Sequence, residues 1–123
     1  MNVILDTHIF LWALSNPEKI SDERRLELQT LANVIHVSAV SVAEIAIKRS
    51  LGKLHAPFDT ILMISRSGFK KLDFSCEAAA VLETLPFHHR DPFDRMLIAQ
   101  SLVYKWPIMT DDAKFYRYDC KCI

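Results

Sequence analysis

Acidic residues stand at each place where a chain of alternating strands and helices would gather its chemistry. Asp6 directly follows the apolar run Val3-Ile4-Leu5. Glu44 lies in the first turn of the helix after a second β-branched run, and Asp94 in the first turn of a helix opening at Asp91. Asp111 and Asp112 directly follow Ile108-Met109-Thr110. If Asp6, Glu44, Asp94 and Asp112 meet, they cannot all stay ionised unaided, because like charges raise one another's pKa. A divalent cation removes the conflict, and hard oxygen donors favour Mg²⁺ or Mn²⁺ over Zn²⁺. On a phosphodiester such a cation lowers the pKa of a bound water and stabilises phosphoryl charge; two cations about 4 Å apart also stabilise the leaving oxygen. Spacing alone leaves one cation or two open.

Each acid also has a purely structural reading. Asp6 can close an Asx turn at the strand end. Ser41-Val42-Ala43-Glu44 has the pattern of a capping box, and Glu44 and Lys48 form an i,i+4 pair. Asp91 reads as an N-cap with Pro92 at the first helical position, and Asp91 with Arg95 as another i,i+4 pair. Asp94 shares a stripe with Ile98 and Leu102, so its carboxylate runs along a buried face and needs a partner. Of Asp111 and Asp112, one serves as a turn or cap residue.

The elements that must position these acids alternate along the chain. Short apolar runs predict strands at 3–5, 34–37, 68–72 and 107–110, with a last edge strand over 118–123. Helical spacing and terminators predict helices over 9–14, 22–31, 42–51, 57–66, 77–85 and 92–104. Gly52 and Gly68 are the expected helix stops, Ser75 and Asp91 the expected N-caps. Helix 92–104 is apolar on most faces and should be central. This order implies an α/β three-layer sandwich, a mainly parallel, Rossmann-like sheet with helices on both faces. In such sheets the site lies beyond the C-terminal ends of the strands, which is where the acids fall.

Composition narrows the class. The 123 residues amount to a single domain spanning 1–123, large enough to bury about two-thirds of its unfolded surface. Half the residues are hydrophobic, which excludes a disordered chain, and the 2 Gly and 5 Pro exclude collagen-like or low-complexity character. Lys plus Arg (15) balances Asp plus Glu (15), so any nucleic acid must be held by a local basic patch. Three Cys point away from a disulfide framework; the C-x-C at Cys120 and Cys122 reads as two ordinary thiols. No segment reaches the ~20 apolar residues of a membrane span, and the opening lacks a signal peptide's basic start, so the expected location is cytoplasmic.

Four ordered segments carry a resemblance. Leu5-Asp6-Thr7-His8-Ile9-Phe10-Leu11-Trp12, the stretch from Val37 to Lys48 around Glu44, the stretch from His89 to Gln100 around Asp94, and Met109-Thr110-Asp111-Asp112-Ala113-Lys114-Phe115 stand in the order of the motifs of PIN-domain ribonucleases. The chain resembles in particular the small VapC-type toxins of bacterial toxin–antitoxin pairs, over essentially its whole length. The resemblance implies a PIN-like fold and Mg²⁺- or Mn²⁺-dependent endonucleolytic cleavage of RNA. It implies catalytic acids Asp6, Glu44, Asp94 and Asp112, with Asp6, Asp94 and Asp112 on the metal. Thr7, Thr110 and Asp91 would support them, with Asp111 the competing choice for Asp112. It also implies a cognate antitoxin that blocks the site, and a homodimer.

Arg90 and Arg95 flank the start of helix 92–104 and are the candidate RNA contacts. The doubled His88-His89 near the site could assist proton transfer but is read as a surface loop, and His8 is read as packed. Phe10 and Leu11 are expected in the core, with Trp12 open between core and partner groove. Two rival classes remain for comparison. A phosphoacceptor receiver domain wants an acidic pair after the first strand, where Asp6 is followed by Thr7 and His8. A D-x-D-x-T phosphatase is excluded by His8. In a non-catalytic protein-binding module the acids would be caps alone.

Overall fold

The computed structural model describes residues 1–123. Four parallel strands form one sheet in the order β3-β2-β1-β4: β1 Asn2–Leu5, β2 Val34–Ser38, β3 Lys70–Leu72 and β4 Ile108–Met109. Register is set by Val3 opposite Ile35, Leu5 opposite Met109 and Val37 opposite Lys71. The helices are α1 Thr7–Ser15, α2 Asp22–Gln29, α3 Ala39–Ser50, α4 Thr60–Arg66, α5 Cys76–Val81 and α6 Pro92–Tyr104, with 3₁₀ turns at Pro17–Lys19 and Ala113–Arg117.

Strand side chains alternate between two cores. Val3, Leu5, Ile35, Val37 and Met109 pack with Ile9 and Phe10 of α1, Ile45 of α3 and Ile64 of α4. On the other face Ile4, Leu72 and Ile108 pack with Leu97 and Ile98 of α6 and with Phe115 and Tyr118. Burying side chains such as Leu97 and Ile98 stabilises the fold by about 1.5–3 kcal/mol each. The chain steps from β1 through β2 to β3 under one layer of helices. It then returns under the other layer to place β4 on the far side of β1. The reversal leaves a crevice beyond the C-terminal ends of β1 and β4.

Local signals set most boundaries. α6 begins and ends as expected, with Asp91 accepting from Phe93 N and Asp94 N. Gly52 and Gly68 stand just past α3 and α4 at φ +68° and +75°, where a side chain would be strained. Four expectations need correction. α3 opens three residues earlier than expected because Ser38 caps it, accepting from Val40 N; Ser41 and Glu44 are therefore interior residues and no capping box forms. α4 opens at Thr60, not Pro57. Asp59 caps it, while Arg49 holds the approach by donating to Phe58 O and Thr60 Oγ1. α5 ends at Val81 and 82–85 form turns, since Pro86 disfavours helix at the residue before it. The expected edge strand 118–123 shrinks to one bridge, Cys122 to Ile108, because Tyr118 turns inward to pack and hydrogen-bond.

Candidate active site

Asp6 ends β1 and caps α1. Its Oδ1 accepts from Ile9 N at 2.7 Å and its Oδ2 from Thr110 Oγ1 at 2.5 Å. Burial nonetheless raises its pKa above 3.8, against the lowering effect of those two hydrogen bonds. Thr110 is fully buried, and its Oγ1 also accepts from Asp112 N at 3.0 Å. The end of β4 is thereby tied to the end of β1 through one hydroxyl. Asp112 uses Oδ1 to cap the following 3₁₀ turn at Lys114 N. Asp111 turns the other way, to Arg24 at 3.1 Å, with its side chain 59% exposed.

Glu44 is buried one turn into α3. Its Oε1 accepts from Thr7 Oγ1 at 2.7 Å and its Oε2 from Lys48 Nζ at 2.6 Å. The carboxylate raises the Lys48 pKa, first through that hydrogen bond. Thr7 Oγ1 also lies 3.0 Å from Ser41 Oγ, so α1 and α3 are pinned together beside the acid.

Asp94 enters from the first turn of α6, whose axis is fixed by fully buried Gln100. Gln100 accepts from Ser38 Oγ at 2.6 Å and donates to Asp73 O at 3.1 Å, at the ends of β2 and β3. Burial pushes the Asp94 pKa up to about 7, helped by the negative charges of Asp91, Glu44, Asp6 and Asp112. Asp94 thus senses the field of all the expected acids. Its one protein partner is His89, Nε2 to Oδ2 at 3.3 Å.

No three carboxylates, imidazoles or thiols are drawn into a finished cation cage. Each acid is held at its own station by its own donor, with Lys48 the only lysine or arginine paired to one of the four. The donor set is oxygen throughout, and burial, followed by the charge of the neighbouring acids, is what raises Asp94. Such a set fits a hard divalent cation. The Cys120 and Cys122 thiols, 4.0 Å apart, offer no soft alternative: burial pushes Cys120 up to about 12, and it stays protonated.

Several surrounding residues differ from expectation. Arg95 is 5% exposed and donates to Pro86 O, Leu85 O and the Tyr118 hydroxyl, so it cannot reach a phosphate; neither does it pair with Asp91. The carbonyls of Leu85 and Pro86, after α5, drew it inward. Arg90 is exposed as expected. Lys114 and Arg117, exposed on the last 3₁₀ turn, were missed; their only sequence signal is a pair of cations shortly after Asp112. His8 is exposed rather than packed, and with Asp6, Trp12, Asp111 and Asp112 it lines a pocket of about 250 Å³. Trp12 is half-buried against the α1-side core and tilts toward the His8 ring. A larger cavity of about 720 Å³ lies away from the acids, along α4 and β3, with Ile61, Leu62, Phe69 and Lys71 in its wall. Size does not make it the site, because it gathers none of the acids.

The PIN domain family model matches residues 3–121. The chain belongs to the PIN domain family. That membership explains why the four segments recur in order, and it removes the receiver-domain alternative. Similar solved structures extend the PIN fold over the full chain. VapBC2 of Rickettsia felis, bound to a promoter DNA fragment, has TM-score 0.77 at 22% identity, covering 100% of this chain and 98% of that one. DNA-bound VapBC of Salmonella typhimurium has TM-score 0.74 at 16% identity, covering 100% and 97%. VapBC-1 of nontypeable Haemophilus influenzae has TM-score 0.67 at 20% identity, with the same coverage. No curated protein matches the sequence.

Proposed function

We propose that this PIN domain is a divalent-cation-dependent endoribonuclease, the toxin of a toxin–antitoxin pair. The observation that carries the reading is Asp94, whose carboxyl is raised to about 7 by burial among Asp91, Glu44, Asp6 and Asp112. A cap-only module has no use for so many carboxylates around one mostly buried acid whose only protein partner is His89. Nuclease chemistry is the common property of PIN domains, and the three structures compared above are VapBC proteins, a family of toxin–antitoxin systems.

Asp6, Asp94 and Asp112 would hold the cation, Mg²⁺ or Mn²⁺. When bound, it supplies a lowered pKa for the attacking water and neutralises charge on the phosphoryl oxygens. Thr110 sets the spacing of Asp6 and Asp112 through one hydroxyl. Glu44, oriented by Thr7 and Lys48, is the carboxylate left to align the attacking water and receive its proton. Asp91 holds the first turn of α6 and so the height of Asp94. Asp111 is the surface partner of Arg24 rather than a ligand. Exposed Arg90, Lys114 and Arg117 supply the local positive charge for an RNA backbone.

The partner is a cognate antitoxin, and the toxin is a homodimer. Exposed Ile47, Leu51, Ile61 and Leu62 on and after α3 and on α4 give such partners apolar surface to cover. No helix is long and apolar enough to cross a membrane, and the expected site of action is the cytoplasm.

The test is cleavage of a panel of purified RNAs, tRNA included, by antitoxin-free protein with Mg²⁺, Mn²⁺ or chelator. Cation-dependent cuts lost in both Asp6→Asn and Asp94→Asn support the reading. Equal background from wild type and variants, together with no Mn²⁺ binding by calorimetry, leaves the non-catalytic module instead.

A further inference from the structure

The doubled histidine before α6 has a use that its position in a loop does not reveal. His88 is exposed, whereas the His89 side chain is only 8% exposed and sits between two polar groups. On one side its Nδ1 lies 3.1 Å from the Tyr118 hydroxyl; on the other its Nε2 lies 3.3 Å from Asp94 Oδ2. The Tyr118 oxygen already receives three donors, His88 N, His89 N and Arg95 Nη1, each at 3.2 Å. Three N–H groups already oversubscribe the two lone pairs of a hydroxyl oxygen, so none is left to accept from His89. A phenol has one proton, and the only neighbour able to accept it is His89 Nδ1. A neutral imidazole that accepts at Nδ1 carries its proton on Nε2, where it faces the Asp94 carboxylate.

We propose that Tyr118 locks His89 as the Nε2–H tautomer, and that His89 is a positioning residue that holds Asp94 Oδ2 and so turns Oδ1 toward the cation. Arg95 belongs to the same device. Its guanidinium lies 4.0 Å from the centre of the Phe87 ring and donates to Leu85 O and Pro86 O, fixing the loop that carries His89. The last 3₁₀ turn, the 85–89 loop and α6 are thereby joined at one phenolic oxygen. A hydrogen bond to a ligating carboxylate fixes its direction and keeps one oxygen free for the ion. The proposal rests on Asp94 as a cation ligand, as argued above.

Two measurements test it. Long-range ¹⁵N–¹H correlation spectra of the cation-free protein report the tautomer directly, and are expected to show His89 protonated at Nε2. Mn²⁺ titration by calorimetry then compares wild type with His89→Gln, His89→Asn and His89→Ala, each checked by thermal melting. Glutamine places an amide N–H near the position of Nε2, while asparagine places it near Nδ1. Glutamine is expected to keep the affinity within about threefold, and asparagine and alanine to lose about ten- to a hundredfold. Nδ1 protonation, or wild-type affinity in all three variants, overturns the positioning role while leaving Asp94 a ligand. Absence of Mn²⁺ binding by the wild type overturns the ligand reading and the positioning role together.

Discussion

The protonation of Asp94 is the most consequential property of any single side chain here. Its ordinary value is 3.8 and its value in the folded protein about 7. Between those limits the folded state holds a proton that the unfolded state has released, so the cation-free protein loses stability as pH rises from about 4 through 7. Asp94→Asn removes that proton linkage. Urea unfolding in chelator is expected to show the variant more stable than wild type at pH 8 by about 1–2 kcal/mol, after discounting for a carboxylate still open to water. At pH 4 the two should converge. Added Mn²⁺ should reverse the order at pH 8, because only the wild type has the full set of proposed ligands. Residue types in the sequence located this acid, but they could not supply direction. Arg95 was legible as a cation beside the site, yet only the folded chain shows the carbonyls of Leu85 and Pro86 taking it inward. His89 shows the converse: a residue read as surface is drawn in by Tyr118, 29 positions away.

At the level of elements, what the sequence disclosed depended on whether a boundary was set locally. α6 was fully legible because Asp91 and Pro92 specify its start within two residues. α3 was not. Two serines three positions apart, Ser38 and Ser41, compete for its cap, and β2 decides by extending to Ser38. The last segment failed for a long-range reason, the inward turn of Tyr118. The caps give direct predictions. Asp91→Ala is expected to destabilise the protein by about 1 kcal/mol, and Asp91→Asn by much less, since the amide oxygen still accepts from the first turn. Denaturant midpoints check the pair, and only the alanine variant should also weaken Mn²⁺ binding by loosening the turn that carries Asp94. At the other end of α6, Lys105 is the only non-glycine residue with positive φ, at 58°. Lys105→Gly is expected to stabilise by about 0.5–1 kcal/mol by relieving left-handed strain, with a raised melting temperature as the readout.

Over the whole molecule, zero net charge and a strongly anionic crevice set how the proposed RNA substrate can be held. Asp6, Glu44, Asp94 and Asp112 repel a phosphate, and the nearby cations are few: Arg90, Lys114 and Arg117, exposed, with Lys48 partly committed to Glu44. Each phosphate contact to a single strand releases condensed counterions and adds about 0.7 to the slope of log affinity against log salt. Three or four contacts therefore predict a slope of about −2 to −3, far shallower than for a basic nucleic-acid-binding domain. The measurement is fluorescence anisotropy of a single-stranded RNA across a salt series, using Asp6→Asn to prevent cleavage. Arg117→Ala should weaken binding at every sequence alike and reduce the slope by about 0.7. A slope steeper than about −5 would mean that a second charged surface, such as exposed Lys70 and Lys71 on the β3 edge, joins in contacting the strand. A shallow slope assigns holding to the crevice mouth alone. Selectivity among RNAs must then come from the shape of the folded RNA around the scissile bond, because a protein with so little charge to spend cannot hold a generic strand tightly.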